Sequence, residues 1–136
     1  MHSTNYFNTL IEIAEDSRAQ IGQIPPTTKG TPSVARLQFE MLHDQPYKYT
    51  SDDVLFTVFA IRNNIPESER EEQRGIYFAK GRPCFRASPL TKRYGWGIHS
   101  NCEGKIALYS ANSQEYQKLI ADETVKKKKA MRSKRK

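Results

Sequence analysis

The stretch Tyr94-Gly95-Trp96-Gly97-Ile98-His99-Ser100-Asn101-Cys102-Glu103-Gly104-Lys105-Ile106-Ala107-Leu108-Tyr109 reads as a β-hairpin, with alternating residues on both sides of a polar, glycine-containing loop. A three- or five-residue loop within 100–104 sets His99 opposite Lys105, Gly97 opposite Ala107 and Gly95 opposite Tyr109. The other face then pairs Ile98 with Ile106 and Trp96 with Leu108. A two-residue turn at Glu103-Gly104 would mix the polar and apolar sets, so the longer loop is expected. This parity turns Tyr94, Trp96 and Ile98 toward a core. Arg93, Gly95, Gly97 and His99 lie on the opposite face with Lys105, Ala107 and Tyr109.

That second face is the first candidate for a site. Residues 82–99 hold the only Trp and the cations Arg82, Arg86, Lys92 and Arg93, with no carboxylate among them. The acid-free zone extends over residues 73–102, where Arg74 and Lys80 add to it. Two glycines in one strand cost packing unless a backbone or a flat group approaches closely. They predict either a shallow groove for an anionic or planar ligand, rimmed by Arg93, His99 and Lys105, or plain packing, with Tyr109 over Gly95 and a helix on Gly97.

Upstream, residues 6–14 alternate, with Phe7, Thr9, Ile11 and Ile13 on one side, which predicts a half-buried strand. Ile24-Pro25-Pro26 to Gly30 is loop. Thr31-Pro32 predicts a helix start, with Val34, Leu37, Met41 and Ala35, Phe39, Leu42 as an amphipathic face ending near Asp44. In the run Val54-Leu55-Phe56-Thr57-Val58-Phe59-Ala60-Ile61, β-branched and aromatic residues fill both alternating sets. We read it as a central strand buried on both faces, although Ser51-Asp52-Asp53 would also suit a helix cap. Residues 66–80 form a helix with Glu67, Glu69, Glu71 and Glu72 near its start, Arg74 and Lys80 toward its end and Gly81 following, in accord with the helix dipole. Downstream, Asn112-Ser113-Gln114-Glu115 resembles a capping box for a last helix with Tyr116, Leu119 and Ile120 inward.

The resulting expectation is an α+β fold: a mostly antiparallel sheet of about four strands with three helices, in the order β-α-β-α-β-β-α, forming one domain over residues 1–124. Residues 125–136 are expected to be a disordered Lys/Arg-rich tail with almost nothing to bury. The chain has 136 residues and a net charge of +7. Of its 22 Lys and Arg, eight (Lys126, Lys127, Lys128, Lys129, Arg132, Lys134, Arg135 and Lys136) lie in the tail, leaving 14 against 15 Asp and Glu in residues 1–125. The charge excess therefore belongs to the tail, which points to a separable electrostatic arm rather than a domain-wide nucleic-acid face.

Several long stretches resemble a family of small bacterial proteins of unknown function, from end to end of the chain. They are Thr4-Asn5-Tyr6-Phe7-Asn8-Thr9, Pro46-Tyr47-Lys48-Tyr49-Thr50-Ser51-Asp52-Asp53-Val54-Leu55-Phe56, Arg86 to His99, Gly104-Lys105-Ile106-Ala107-Leu108-Tyr109, and Val125 to Lys134. The resemblance implies no activity, so it brings no catalytic residues with it. A shorter similarity over residues 81–119 looks like the small α+β proteins proposed as frataxin-like iron chaperones, as a likeness of topology alone.

Other chemistry is weakly signalled. Cys84 or Ser88 with His99, oriented by Asp52 or Asp53, would make a nucleophile and base pair, but no local signature brings them together. Cys84 and Cys102 read as thiols, and His2, His43 and His99 are too scattered for a zinc site, so neither a metal nor a cofactor is expected. No P-loop, Rossmann glycine pattern or HExxH occurs. The apolar runs are too short to span a membrane and no secretory signal is visible, so a cytoplasmic protein is expected. The leading expectation is a non-enzymatic binding module for anionic ligands, with nucleic acid held by the tail. The alternative is a small-molecule binder or enzyme around Arg93, His99 and Lys105. A third reading gives the acidic helix at 67–72 a basic partner. Oligomeric state is not legible.

Overall fold

The computed structural model describes residues 2–133. Four strands form a mixed sheet in the order β3-β2-β1-β4: β1 (Thr9–Glu12), β2 (Trp96–Ser100), β3 (Ile106–Ser110) and β4 (Lys126–Lys129). β1 pairs antiparallel with β2 and parallel with β4, and β2 with β3 is antiparallel. Among the described residues five α-helices accompany the sheet: α1 (Val34–His43), α2 (Ser51–Arg62), α3 (Glu67–Tyr77), the single turn α4 (Pro89–Lys92) and α5 (Gln114–Ala121).

β1 is one of the two inner strands, and its successive residues Leu10 and Ile11 are both buried. Ile11 joins Ile98 and Ile106 against Leu37 and Leu42 of α1 and Val54 and Val58 of α2. On the other side Leu10 packs with Ala111, Tyr116 and Val125. Helices therefore cover both faces, and the predicted half-buried strand at 6–14 is shorter and more deeply buried than its alternation suggested.

The run at 54–61, expected as a central strand buried on both faces, is helical instead. Thr50 caps α2 with a complete capping box: its side chain accepts from the Asp53 amide at 3.1 Å, and the Asp53 carboxylate accepts from the Thr50 amide at 3.0 Å. The helix is apolar nearly all round because it is sandwiched. Val54 and Val58 face the sheet side, while Phe56 and Ala60 pack on Phe78. Tertiary burial here outweighs the low helix propensity of its β-branched residues. Neighbouring Asp52 is saturated, accepting from the Ser3 hydroxyl at 2.8 Å and from the Thr4 amide and hydroxyl at 2.7 Å each. These bonds tie the N-terminal segment to α2.

α1 is capped by Ser33, two residues after the expected Thr31. α3 buries none of its residues and ends at Tyr77, with Phe78 as its C-cap in place of Gly81, and Phe78 turns into the core. Ser113 caps α5. Tyr116 is buried and Leu119 packs with it, but Ile120 is exposed rather than inward.

The hairpin keeps the expected faces but slides by two residues. Gly97 pairs with Tyr109, Ile98 with Leu108, His99 with Ala107 and Ser100 with Ile106. An even shift preserves side-chain parity, which is why the face assignment survives. The loop is a five-residue turn in which the Asn101 side chain accepts from the Glu103 and Lys105 amides at 2.9 and 3.0 Å.

The tail is the second correction. Residues 126–129 are not disordered but form β4, the edge strand, laid parallel to β1. From β3, α5 crosses the sheet to reach that far edge. Three strand spacings are about 14 Å, and eight helical residues span about 12 Å, so this short helix suffices together with the turns on either side of it. Val125 and Ala130, both buried, pin the strand at its two ends. The Lys126 amide donates to Asn8 O at 2.8 Å and the Ala130 amide to Glu12 O at 2.9 Å. Backbone pairing and these two small apolar anchors thus order a run that has no amphipathic pattern. Among the described residues, no helix is long and apolar enough to cross a membrane.

Candidate functional site

The lysines of β4 alternate about the sheet edge. Lys126 and Lys128 stand on the side of Thr9 and Ile11, and Lys127 and Lys129 on the side of Leu10 and Glu12. Lys127 is folded back, its Nζ donating to Asp122 O at 2.7 Å and to Val125 O. Lys129 and Arg132 share Glu15, with Lys129 Nζ 3.4 Å from Oε1 and the Arg132 guanidinium bonded to Oε2. The Arg132 hydrogen bond and charge, with Lys129 beside them, hold the Glu15 carboxyl below its ordinary range. Lys126 and Lys128 are exposed and make no ion pair with any described residue.

Arg86 secures the strand from outside. Its Nε donates to Lys129 O at 2.7 Å, and its own carbonyl accepts from the Met131 amide at 2.7 Å. The chain then continues to Ser133, whose amide donates to both carboxylate oxygens of Asp16, at 3.0 and 3.2 Å.

Beside this point lies a cavity of about 340 Å³ lined by Asp16, Arg18, Lys92, Arg93 and Ser133. Three separate segments build it. Lys92 and Arg93 end the turn of α4, which Ser88 caps by accepting from the Leu90 amide at 3.1 Å. Buried Thr91 locks that turn by donating to Phe85 O at 2.7 Å, and Thr91 O accepts from the Ala14 amide at 3.0 Å as the chain leaves β1. A tight bend then follows, with the Ser17 amide on Ala14 O and the Ser17 hydroxyl on Ala19 O, and it presents Arg18.

The remaining residues singled out from the sequence do not gather around this cavity. Gly97 is covered: a Cβ built there would lie 2.3 Å from Tyr116 Cε1. Gly95 has φ +78° and its Cβ would lie 2.5 Å from Ile21 O, so backbone rather than ligand occupies that approach. The glycine positions are filled by packing, with α5 on Gly97 and the 19–23 segment, not Tyr109, over Gly95. Trp96, whose Nε1 donates to Gln23 O at 2.8 Å, is half-buried against Phe39 and Leu90.

His99 and Tyr109 meet a residue that sequence reasoning missed, Tyr47. The Tyr47 hydroxyl lies 2.8 Å from His99 Nδ1 and 2.8 Å from the Tyr109 hydroxyl. Burial holds the His99 pKa below its usual value, although Asp122 opposes this. Burial, with Tyr109 adding to it, pushes that of Tyr47 well up. Tyr47 adopts φ 58°, an uncommon backbone for a bulky residue. Its amide also donates to Ile106 O at 2.9 Å, and Thr50 bridges to Lys105, so residues 47–50 cover the N-terminal end of the outer edge of β3. Arg82 stacks over Tyr77 at 4.1 Å and donates to its carbonyl.

The nucleophile and base pair is likewise not assembled. Ser88 donates to Gln38 at 2.6 Å and caps α4, while His99 Nδ1 is engaged by Tyr47. Cys84 is half-buried with its sulfur 3.4 Å from the Tyr6 hydroxyl, and Cys102 is exposed in the hairpin loop. Among the described residues, no group of three or more His, Cys, Asp or Glu is placed to hold a metal ion. Lys134, Arg135 and Lys136 lie outside the described residues.

Arg18, Asp16, Ser133 and Tyr47 carried no motif that would have marked them. They reach their neighbours only through long-range strand pairing and loop docking. No curated protein and no solved structure matches the chain. The model of a family described as of unknown function, DUF6157, matches residues 1–136, and the chain belongs to that family.

Proposed function

We propose that the protein is a non-enzymatic module that binds the phosphate backbone of nucleic acid along β4. The observation that carries the reading is the geometry of Lys126 and Lys128: exposed, unpaired with any described residue, and held on one side of a rigid edge strand. Same-side residues of a strand are about 6.6 Å apart, comparable to the separation of neighbouring phosphates along an extended nucleic-acid strand. Presenting the cations on ordered backbone avoids the entropy that a free arm would lose on binding. The residues flanking β4, Val125 and Ala130, are buried, and Met131 beyond them is a lone exposed methionine among the described residues of this segment, too little apolar surface to anchor in a bilayer, which favours nucleic acid over an anionic membrane. The basic run thus acts as part of the sheet rather than as a separable arm.

The test is the salt dependence of RNA and DNA binding by the full chain and by a Lys126→Gln/Lys128→Gln variant. Each phosphate contact contributes about 0.7 to the log–log salt slope on a single strand, so the double variant should lower it by about 1.4. An unchanged slope would refute the assignment, as would absence of binding by the full chain at low salt. Deleting the tail is the wrong experiment, because it removes a strand and uncovers Leu10.

A further inference from the structure

We propose that the cavity between α4, the 14–19 bend and Ser133 is a site for a phosphate dianion, either inorganic phosphate or the terminal group of a phosphomonoester. Arg18, Lys92 and Arg93 line it, and none of the three makes an ion pair with a described residue. Three like charges brought to one concavity repel one another unless an anion enters. The carboxylate among the described lining residues, Asp16, already accepts the Ser133 amide through both oxygens. The described residues of the wall therefore carry three positive charges and one negative, an excess that a dianion matches and a monoanionic diester does not.

The cations are also placed in advance. Lys92 and Arg93 are fixed by the buried Thr91 bonds to Phe85 and Ser88 and by the Ala14 amide on Thr91 O, and Arg18 by the Ser17 bend. Two guanidinium forks offer bidentate geometry to phosphate oxygens, and the lysine adds a point charge. At about 340 Å³ the space exceeds one phosphate and admits a small organic substituent. Among the described residues its lining is Asp16, Arg18, Lys92, Arg93 and Ser133, whose charged and hydrogen-bonding groups favour an anion. This assignment does not depend on β4 binding nucleic acid.

The experiment uses the full chain at constant ionic strength, observing amide and arginine Nε NMR shifts during titration with inorganic phosphate, phenyl phosphate and dimethyl phosphate. Saturable shifts at Arg18, Arg93 and Ser133 are expected, with phenyl phosphate binding at least about tenfold more tightly than the diester, as for loss of one charge-assisted contact. Affinity should fall as pH drops through the second ionisation of the monoester near about 6. Arg18→Gln and Arg93→Gln, both at solvent-accessible side chains, should each weaken binding about tenfold or more with the thermal midpoint unchanged. Lys126→Gln/Lys128→Gln should leave it intact. Absence of saturable shifts, equal affinity for mono- and diester, or equal weakening by the β4 variant would each overturn the site, the last by showing only diffuse attraction. Conversely, loss of the nucleic-acid salt slope with phosphate binding retained would remove the β4 reading alone.

Discussion

Gly97→Ala tests the central structural finding about the hairpin face, that its glycines are packed rather than open. The added Cβ would lie 2.3 Å from Tyr116 Cε1, 2.7 Å from Cδ1 and 3.4 Å from Ile11 O. The backbone of Gly97 is ordinary for a strand, so the cost comes from crowding rather than from φ. Tyr116 has little freedom to retreat: it is 4% exposed, sits one turn into α5 behind the Ser113 cap, and its hydroxyl accepts from the Ile13 amide at 3.1 Å. Overpacking a well-filled site costs about 1–3 kcal/mol, and losing that hydrogen bond adds about 1 kcal/mol, giving a destabilisation of about 2–4 kcal/mol. At about 4 °C per kcal/mol for a domain of this size, the thermal midpoint should fall by about 8–16 °C. Calorimetry or circular dichroism melts would measure it. The same substitution in a Tyr116→Leu background should cost at least about 1 kcal/mol less, because the atoms it strikes are gone. If the single variant melts within about 2 °C of the parent protein, Tyr116 does not lie on Gly97, and an open groove there returns to consideration.

Thr50→Ala should destabilise by about 1 kcal/mol, at most about 2, since it removes the side-chain half of the capping box on a helix that contributes to two apolar clusters; urea unfolding checks it, and a loss under about 0.3 kcal/mol would contradict the cap. His99 has its pKa depressed in the fold, so the unfolded chain binds its proton more readily. Its share of stability should be intact above the ordinary histidine value of about 6.5 and be lost as pH falls from there through the folded-state pKa. A His99→Gln variant should flatten that segment of the stability–pH curve, and an unaltered curve would exclude His99 as the cause. Lys126→Glu/Lys128→Glu should abolish nucleic-acid binding while sedimentation still shows the oligomeric state of the parent protein; retained binding, or new association, would count against the reading of β4.

The sequence was most legible where a local rule and the tertiary environment agree. The hairpin faces followed from parity alone, because an error of two residues in register leaves every side chain on its own side of the sheet. α1 and α5 showed most of their apolar stripes, but their caps are Ser33 in place of Thr31 and Ser113 without the Asn112–Glu115 capping box. Val54 to Ile61 was misread because a helix buried on several sides shows no stripe, so period 3.6 and period 2 fit it equally. The signal that settles it was short and nearby: Thr50 and Asp53 at capping-box spacing. β4 was hidden for a different reason. Four lysines have no apolar pattern, and the order comes from the backbone of β1 and from Val125 and Ala130 on either side. The site was half legible. The acid-free composition of residues 73–102 marked Lys92 and Arg93, but Arg18, Asp16 and Ser133 join them from two distant segments.

The lysines of β4 admit a purely structural account, and its demands differ from those of binding. An edge strand exposes unpaired backbone groups, and charged side chains, lysine above all, keep it from pairing with another sheet. β3 meets the same problem differently at its N-terminal end, where residues 47–50 pair with Lys105 and Ile106. On β4, Arg86 reaches Lys129 O and Met131 N near the C-terminal end of the strand. Edge protection therefore explains why charge is present on β4. It does not by itself require all four charges to be positive, since other charged side chains, glutamate included, also disfavour a second strand, and Glu12, Glu15 and Asp16 nearby would have found partners in a strand of mixed sign. Protection requires charge of either sign, whereas attraction to phosphate requires this one. Reversal at Lys126 and Lys128 keeps the first property and removes the second, and that difference is what makes the two roles separable on a single strand.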